Sequence, residues 1–136
     1  MDPARGAADA PGGEEAWVVA CLCARWCTVC RSWQGEFVRL ARDCGTLFGQ
    51  ARWLWVDVEE QADELGDFEP ENFPVLAVQR GDELLYCATL PQQAGNWKRL
   101  LHTLRALQPA QLREWAQALR PLDLDLRRLH DDAQAR

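Results

Sequence analysis

Cys27 and Cys30, within Ala24-Arg25-Trp26-Cys27-Thr28-Val29-Cys30-Arg31, are the residues whose type and spacing can do chemistry. Two thiols three residues apart can trade electrons as a dithiol and a disulfide, provided that local structure turns them to one face. The flanking sequence supplies such a setting. An apolar run, Ala16 to Ala24, gives way at the motif to Val29, Trp33, Phe37, Leu40 and Cys44, whose spacing is helical. A helix that begins at or just after Cys27 turns unpaired backbone N–H groups and the positive end of its dipole toward that sulfur, which favours thiolate over thiol. Cys30, one turn on, is near enough to close a disulfide with it.

The elements that must position this pair follow from pattern. Residues 16–24 are apolar at every position, as expected of a central strand covered on both sides, and the Val18-Val19 pair favours strand over buried helix. Residues 28–44 read as an amphipathic helix with Arg31, Glu36, Arg39 and Arg42 outward, interrupted by Gly35 and with Gly45 at the expected C-cap. Residues 52–58 alternate and predict a second strand, followed by a short acidic helix over Glu59 to Gly66. Asn72-Phe73-Pro74 leads into a third strand, Arg80-Gly81-Asp82 turns a hairpin into a fourth over Glu83 to Thr89, and a helix runs from about Gln92 to Leu107. After Pro109 a helix around Leu112, Trp115, Ala116 and Leu119 is expected; Pro121 ends it, and Leu122, Leu126 and Leu129 suggest a further amphipathic turn or two. The order β-α-β-α-β-β-α implies a mixed sheet with helices on both faces.

At 136 residues the chain is expected to hold one main domain: a flexible arm over residues 1–15, the α/β domain over 16–107 and a C-terminal helical extension over 108–136. A net charge of −6 without a concentrated basic face argues against nucleic-acid binding. No apolar run is long enough to span a bilayer, so no membrane association is expected. Met1 to Glu15 lacks the basic start and apolar centre of a secretory signal. Six cysteines in so core-rich a chain do not read as a secreted disulfide scaffold, and the expected compartment is the cytoplasm.

Taken together, the strand that runs into Trp26-Cys27-Thr28-Val29-Cys30, the element order and a proline opening the third strand some forty residues later resemble the thioredoxin superfamily over about residues 16–107. The resemblance implies a thioredoxin-like α/β fold and a thiol–disulfide oxidoreductase. Cys27 would attack a protein or peptide disulfide as the nucleophile, and Cys30 would resolve the mixed disulfide. Trp26 would line the substrate groove with Phe73, and Pro74 would be cis, with the backbone of Phe73 pairing to an extended substrate segment. A reductase or other dithiol donor would complete the cycle, with no cofactor and no metal. The alternative function is a non-catalytic interaction module on the same fold.

Several positions depart from the family pattern. Thr28-Val29 stands where thioredoxin has Gly-Pro, and Gly35 occupies the place of its helix-kinking proline. The family's buried aspartate and its lysine partner, which help move a proton to and from the resolving cysteine, are replaced by Cys21 and Trp55. The first strand and helix of thioredoxin are reduced or absent, and the tail after Pro109 is extra.

Cys21 and Cys23 should share one face of the first strand. A second redox pair, or a metal cluster of Cys21, Cys23, Cys27 and Cys30, is conceivable for them, but the spacing favours plain core packing. Cys44 and Cys87 read as structural, and Trp33, Trp53, Trp55 and Trp97 as core. The run Asp57, Glu59, Glu60, Asp63, Glu64, Asp67, Glu69 and Glu71 contains no base and reads as a solvated face, or more sharply as a preference for basic partners near the site.

Overall fold

Trp17–Cys23 forms strand β1, and all seven of its residues are buried. Its side chains alternate between two cores: Trp17, Val19, Cys21 and Cys23 enter one, and Val18, Ala20 and Leu22 the other. A strand with no polar face has to lie inside a sheet, and β1 does. In this computed structural model, which describes residues 16–49 and 51–132, β1 pairs in parallel with β2 (Arg52–Asp57) and antiparallel with β3 (Val75–Arg80). Strand β4 (Glu83–Thr89) pairs antiparallel with β3, so the order is β2-β1-β3-β4. Gly81, with φ +59°, makes the hairpin turn. The arm expected over residues 1–15 lies outside the described residues. Among those described, no helix is long and apolar enough to cross a membrane.

Helix α1 (Thr28–Cys44) packs on the first face through Cys30, Trp33, Phe37, Leu40 and Cys44, a spacing that puts all five on one stripe. Gly35 lies within this helix without ending it, and Gly45 adopts right-handed angles (φ −58°, ψ −35°) in place of a left-handed cap. After the four-residue helix α2 (Ala62–Leu65), helix α3 (Ala94–Ala106) buries Trp97, Leu101 and Leu104 against the same face as α1. Helix α4 (Pro109–Ala118) opens with its proline where no N–H partner is needed, and adds Leu112 and Ala116 to that core. Aromatic rings fill the space between. Trp33 and Trp97 lie 4.9 Å apart, Phe37 contacts Trp53, Trp55 and Trp97, and the Trp97 indole N–H donates to the Pro91 carbonyl at 2.8 Å.

The second face is covered differently from what hydrophobic pattern alone suggests. The amphipathic turns expected beyond Pro121 reduce to one 3₁₀ turn, Leu126–Arg128, in an otherwise irregular tail. Leu124, Leu126 and Leu129 of that tail pack with Val18, Ala20, Leu22 and Leu54. Irregular backbone on a core must have its polar groups satisfied, and two buried glutamines do so. Gln79, on β3, accepts from the Leu126 N–H at 2.7 Å and donates to Asp125 Oδ1 at 2.8 Å. Gln61 accepts from the His130 N–H at 3.0 Å and donates to the His130 carbonyl at 2.7 Å and to Asp132 Oδ2 at 2.8 Å. The tail also serves β2: the N–H groups of Trp55 and Asp57 donate to the carboxylates of Asp131 (3.0 Å) and Asp132 (2.7 Å).

The acidic helix expected over Glu59 to Gly66 is confined to Ala62–Leu65. Its first turn is replaced by a side-chain turn, in which Asp57 Oδ1 accepts from the N–H groups of Glu59 (2.9 Å) and Glu60 (3.2 Å).

The tail anchor carries a pH dependence. Hydrogen bonds from the Arg127 side chain, with further help from Gln79, hold the Asp125 carboxyl well below the usual carboxylate range. Its folded pKa lies under its unfolded value of about 4, so its contribution to stability is complete above about pH 4 and is lost as pH falls further. Urea denaturation at a series of pH values should show Asp125→Asn removing part of the acid destabilisation below pH 4; parallel curves for the variant and the parent would contradict this.

Candidate active site

The end of β1 and the start of α1 bring three cysteines together. Cys23 is the last residue of β1, Cys27 is the N-cap of α1 and Cys30 lies in its first turn. Cys27 has extended angles (φ −83°, ψ 117°), and its carbonyl accepts from the Arg31 N–H at 3.2 Å. Its thiol is unbonded and half-buried. The disulfide in the structure joins Cys23 to Cys30, with a Cα–Cα distance of 5.7 Å, which lies in the ordinary range for such a bond. Cys23, expected as a plain core cysteine, is therefore both buried and bonded. Strand geometry explains it: Cys23 points to the face that α1 covers, and Cys30 is the first residue of the α1 stripe to meet that face.

The other thiols are placed to be inert. Cys21 lies on the same face as Cys23, with the sulfurs 3.9 Å apart, and complete burial pushes its thiol well up. Burial raises Cys44 and takes Cys87 to about 11. Among the free cysteines described, Cys27 is the one at the helix start, next in the chain to one member of an aromatic pair.

That pair is Trp26 and Phe73. Trp26 is 64% exposed, and its ring meets that of Phe73 edge-on with centroids 5.7 Å apart. The Phe73–Pro74 peptide bond is cis. Both rings line a groove of about 500 Å³ that also includes Phe68, Glu59, Glu69 and Glu71. The groove thus has an apolar floor and an acidic rim, and it includes Trp26, the residue before Cys27.

The charged pair at the site is not where sequence reasoning looked. Cys21 and Trp55 are partners in register across β1 and β2, so the two positions assigned to the family's acid and lysine do face each other, and neither carries charge. One pleat further on, Asp57 stands opposite Cys23. Asp57 is only 3% exposed, which corrects its assignment to the solvated acidic run. Its Oδ2 lies 3.3 Å from Arg25 Nε, and Arg25 in turn bonds Glu60 at 2.8 Å. Asp57, Cys23, Cys30 and Arg31 line a small cavity of about 30 Å³. The signal was present in the period of two: Asp57 follows Trp55 on the same face of a buried strand, whereas Glu59 onward does not.

No family model and no curated protein sequence matches the chain. Solved structures do. Deadhead, the germline-specific thioredoxin of Drosophila melanogaster, superposes with a TM-score of 0.52 and 19% identity, covering 67% of this chain and 83% of that one. A mutant thioredoxin from Halobacterium salinarum gives 0.55 and 21%, over 71% and 80% of the two chains. Mitochondrial thioredoxin 3 of Saccharomyces cerevisiae, in its oxidized form, gives 0.54 and 17%, over 68% and 81%. The chain has a thioredoxin-like fold. Within that fold the cysteine motif lies at the strand-to-helix junction and the cis proline opens β3, so Trp26, Cys27, Phe73 and Pro74 are brought to one end of the molecule. What the thioredoxin-like fold does not supply here is a free Cys30, whose sulfur is held by Cys23.

Proposed function

We propose that the protein is a thiol–disulfide oxidoreductase acting on protein or peptide disulfides through Cys27 and Cys30. The observation that carries the reading is the unbonded Cys27 thiol at the α1 N-terminus, three residues from a sulfur that already takes part in a disulfide. In the reduced protein, Cys27 thiolate attacks one sulfur of the substrate disulfide. That bond breaks, the other substrate sulfur leaves as thiolate, and a mixed disulfide remains. Cys30 thiolate then attacks Cys27 Sγ and releases the second substrate thiolate. A dithiol donor returns the two electrons.

Trp26 and Phe73 give the substrate segment an apolar surface beside Cys27, and the acids on the groove rim favour segments that carry Lys or Arg. The cytoplasm suits this reading, because its reductants keep Cys21, Cys27, Cys44 and Cys87 as thiols and leave disulfides there mostly transient or catalytic.

The test is covalent capture. Reduced Cys30→Ser protein, mixed with insulin as a protein disulfide, should accumulate an adduct on Cys27 that dithiothreitol releases, seen by mass spectrometry. An adduct on another cysteine, or none while Cys27 remains alkylatable, would refute the proposal.

A further inference from the structure

We infer that Cys23 is a third redox thiol, which takes over the bond to Cys30 after each exchange and returns Cys27 to the surface as a free thiol. The inference rests on the exchange proposed for Cys27 and adds a step to it. Two observations lead there. Cys30 is bonded to Cys23 across the strand-to-helix junction. Cys27 packs against the core cluster that contains Cys30, three positions along from it, where side chains at a helix start stand about 5–6 Å apart at Cβ. The Cys30 sulfur thus has one candidate partner toward the core and one toward the groove.

The step is an internal exchange with no net change of electrons. After substrate release the protein holds a Cys27–Cys30 disulfide. Cys23 thiolate attacks Cys30 Sγ, the Cys23–Cys30 bond forms, the Cys27–Cys30 bond breaks, and Cys27 leaves as thiolate into a half-exposed position. Burial favours this direction. Cys23 and Cys30 are 2% and 1% exposed, so the new bond is withdrawn from outside thiols, and the charge that would be costly at Cys23 is transferred to Cys27. To return to the dithiol, Cys27 attacks Cys30 in reverse, and a dithiol donor then attacks Cys27.

The proton lost by Cys23 goes to Asp57. The two residues are opposite in register, and they share the cavity of about 30 Å³, room enough for one bridging water. The charged groups around Asp57 come from each neighbouring element: Arg25 from the loop before α1, Arg31 from α1 itself, Glu59 and Glu60 from the turn after β2, and Asp132 from the tail. Two of these, Arg25 and Arg31, are cations that line the same cavity.

A single-turnover experiment separates the possibilities. Fully reduced protein is mixed with insulin, quenched in acid at intervals, alkylated and mapped by mass spectrometry. A Cys27–Cys30 disulfide should appear first and be replaced by Cys23–Cys30, with Cys27 alkylated at the end. Cys23→Ser should stop at Cys27–Cys30. Asp57→Asn keeps an oxygen for the Glu59 and Glu60 N–H groups, and it should slow only the second step, by about 10²-fold. The second step should also rise more steeply with pH in this variant than in the parent, because Cys23 then loses its proton to solvent alone; equal pH profiles would mark a merely structural role. A wild-type protein that ends as Cys27–Cys30 with Cys23 alkylated overturns the relay and leaves the proposed function standing. An unchanged second step in Asp57→Asn overturns the assignment of Asp57. If Cys27 of the Cys23→Ser variant forms neither a mixed disulfide nor a bond to Cys30, relay and oxidoreductase readings both fall.

Discussion

Cys27→Ser should lower turnover of a protein disulfide by about 10³-fold or more while leaving the Cys23–Cys30 disulfide and the fold in place. A serine hydroxyl cannot ionise near neutral pH, and no other thiol is positioned to stand in. Cys21 is completely buried beside Cys23, Cys87 is held at about 11 by burial, and Cys44 is raised as well and sits at the far end of α1. Cys23 and Cys30 hold each other. The measurement is insulin reduction by an excess of dithiol donor, with disulfide mapping and near-ultraviolet circular dichroism as controls for the fold. Activity within tenfold of the parent would mean that the nucleophile is a different sulfur.

Removal of residues 121–136 should abolish cooperative folding. The tail contributes Leu124, Leu126 and Leu129, each buried against the second face of the sheet. At about 1.5–3 kcal/mol for each side chain, their loss alone is comparable to the whole stability of a typical domain, about 5–15 kcal/mol. Truncation also leaves Gln79 and Gln61, 1% and 0% exposed, beneath a missing cover. A milder variant keeps the claim measurable. Gln79→Ala in the full chain leaves the Leu126 N–H without its acceptor, which should cost about 2–3 kcal/mol and lower Tm by about 10 °C. A truncated chain that melts as sharply as the parent, together with a Gln79→Ala variant of parental Tm, would show the tail to be dispensable.

Much of this architecture is legible in the sequence, for identifiable reasons. Strand β1 announces itself because it is apolar on both faces, and α1 because Trp33, Phe37, Leu40 and Cys44 keep a helical spacing, although the buried stripe starts at Cys30 and the Val29 expected in it is exposed. The exposed Trp26 beside Phe73 could be anticipated from the motif and the proline. The tail could not be read correctly, because Leu122, Leu126 and Leu129 are spaced like a helix while the tail backbone is held at Leu126 by Gln79 and at His130 by Gln61, residues distant in sequence. Asp57 escaped for a related reason. It borders a run of solvated acids, and only the register of β2 against β1 shows that it belongs with Cys23. The Cys23–Cys30 bond likewise depends on where α1 settles over the end of β1, a tertiary fact that spacing along the chain does not encode.

The carboxylates of Asp131 and Asp132 have a consequence beyond holding the tail in place. Strand β2 is at the margin of the described sheet, and the outward N–H groups of Trp55 and Asp57 would otherwise be open to a strand from a second chain. Filling them with acidic side chains from the same polypeptide makes that margin both satisfied and negatively charged. Protection against self-association is therefore vested in the last residues of the chain that the structure describes, so a nick or a bulky fusion near position 131 threatens solubility as well as the strand that carries Asp57.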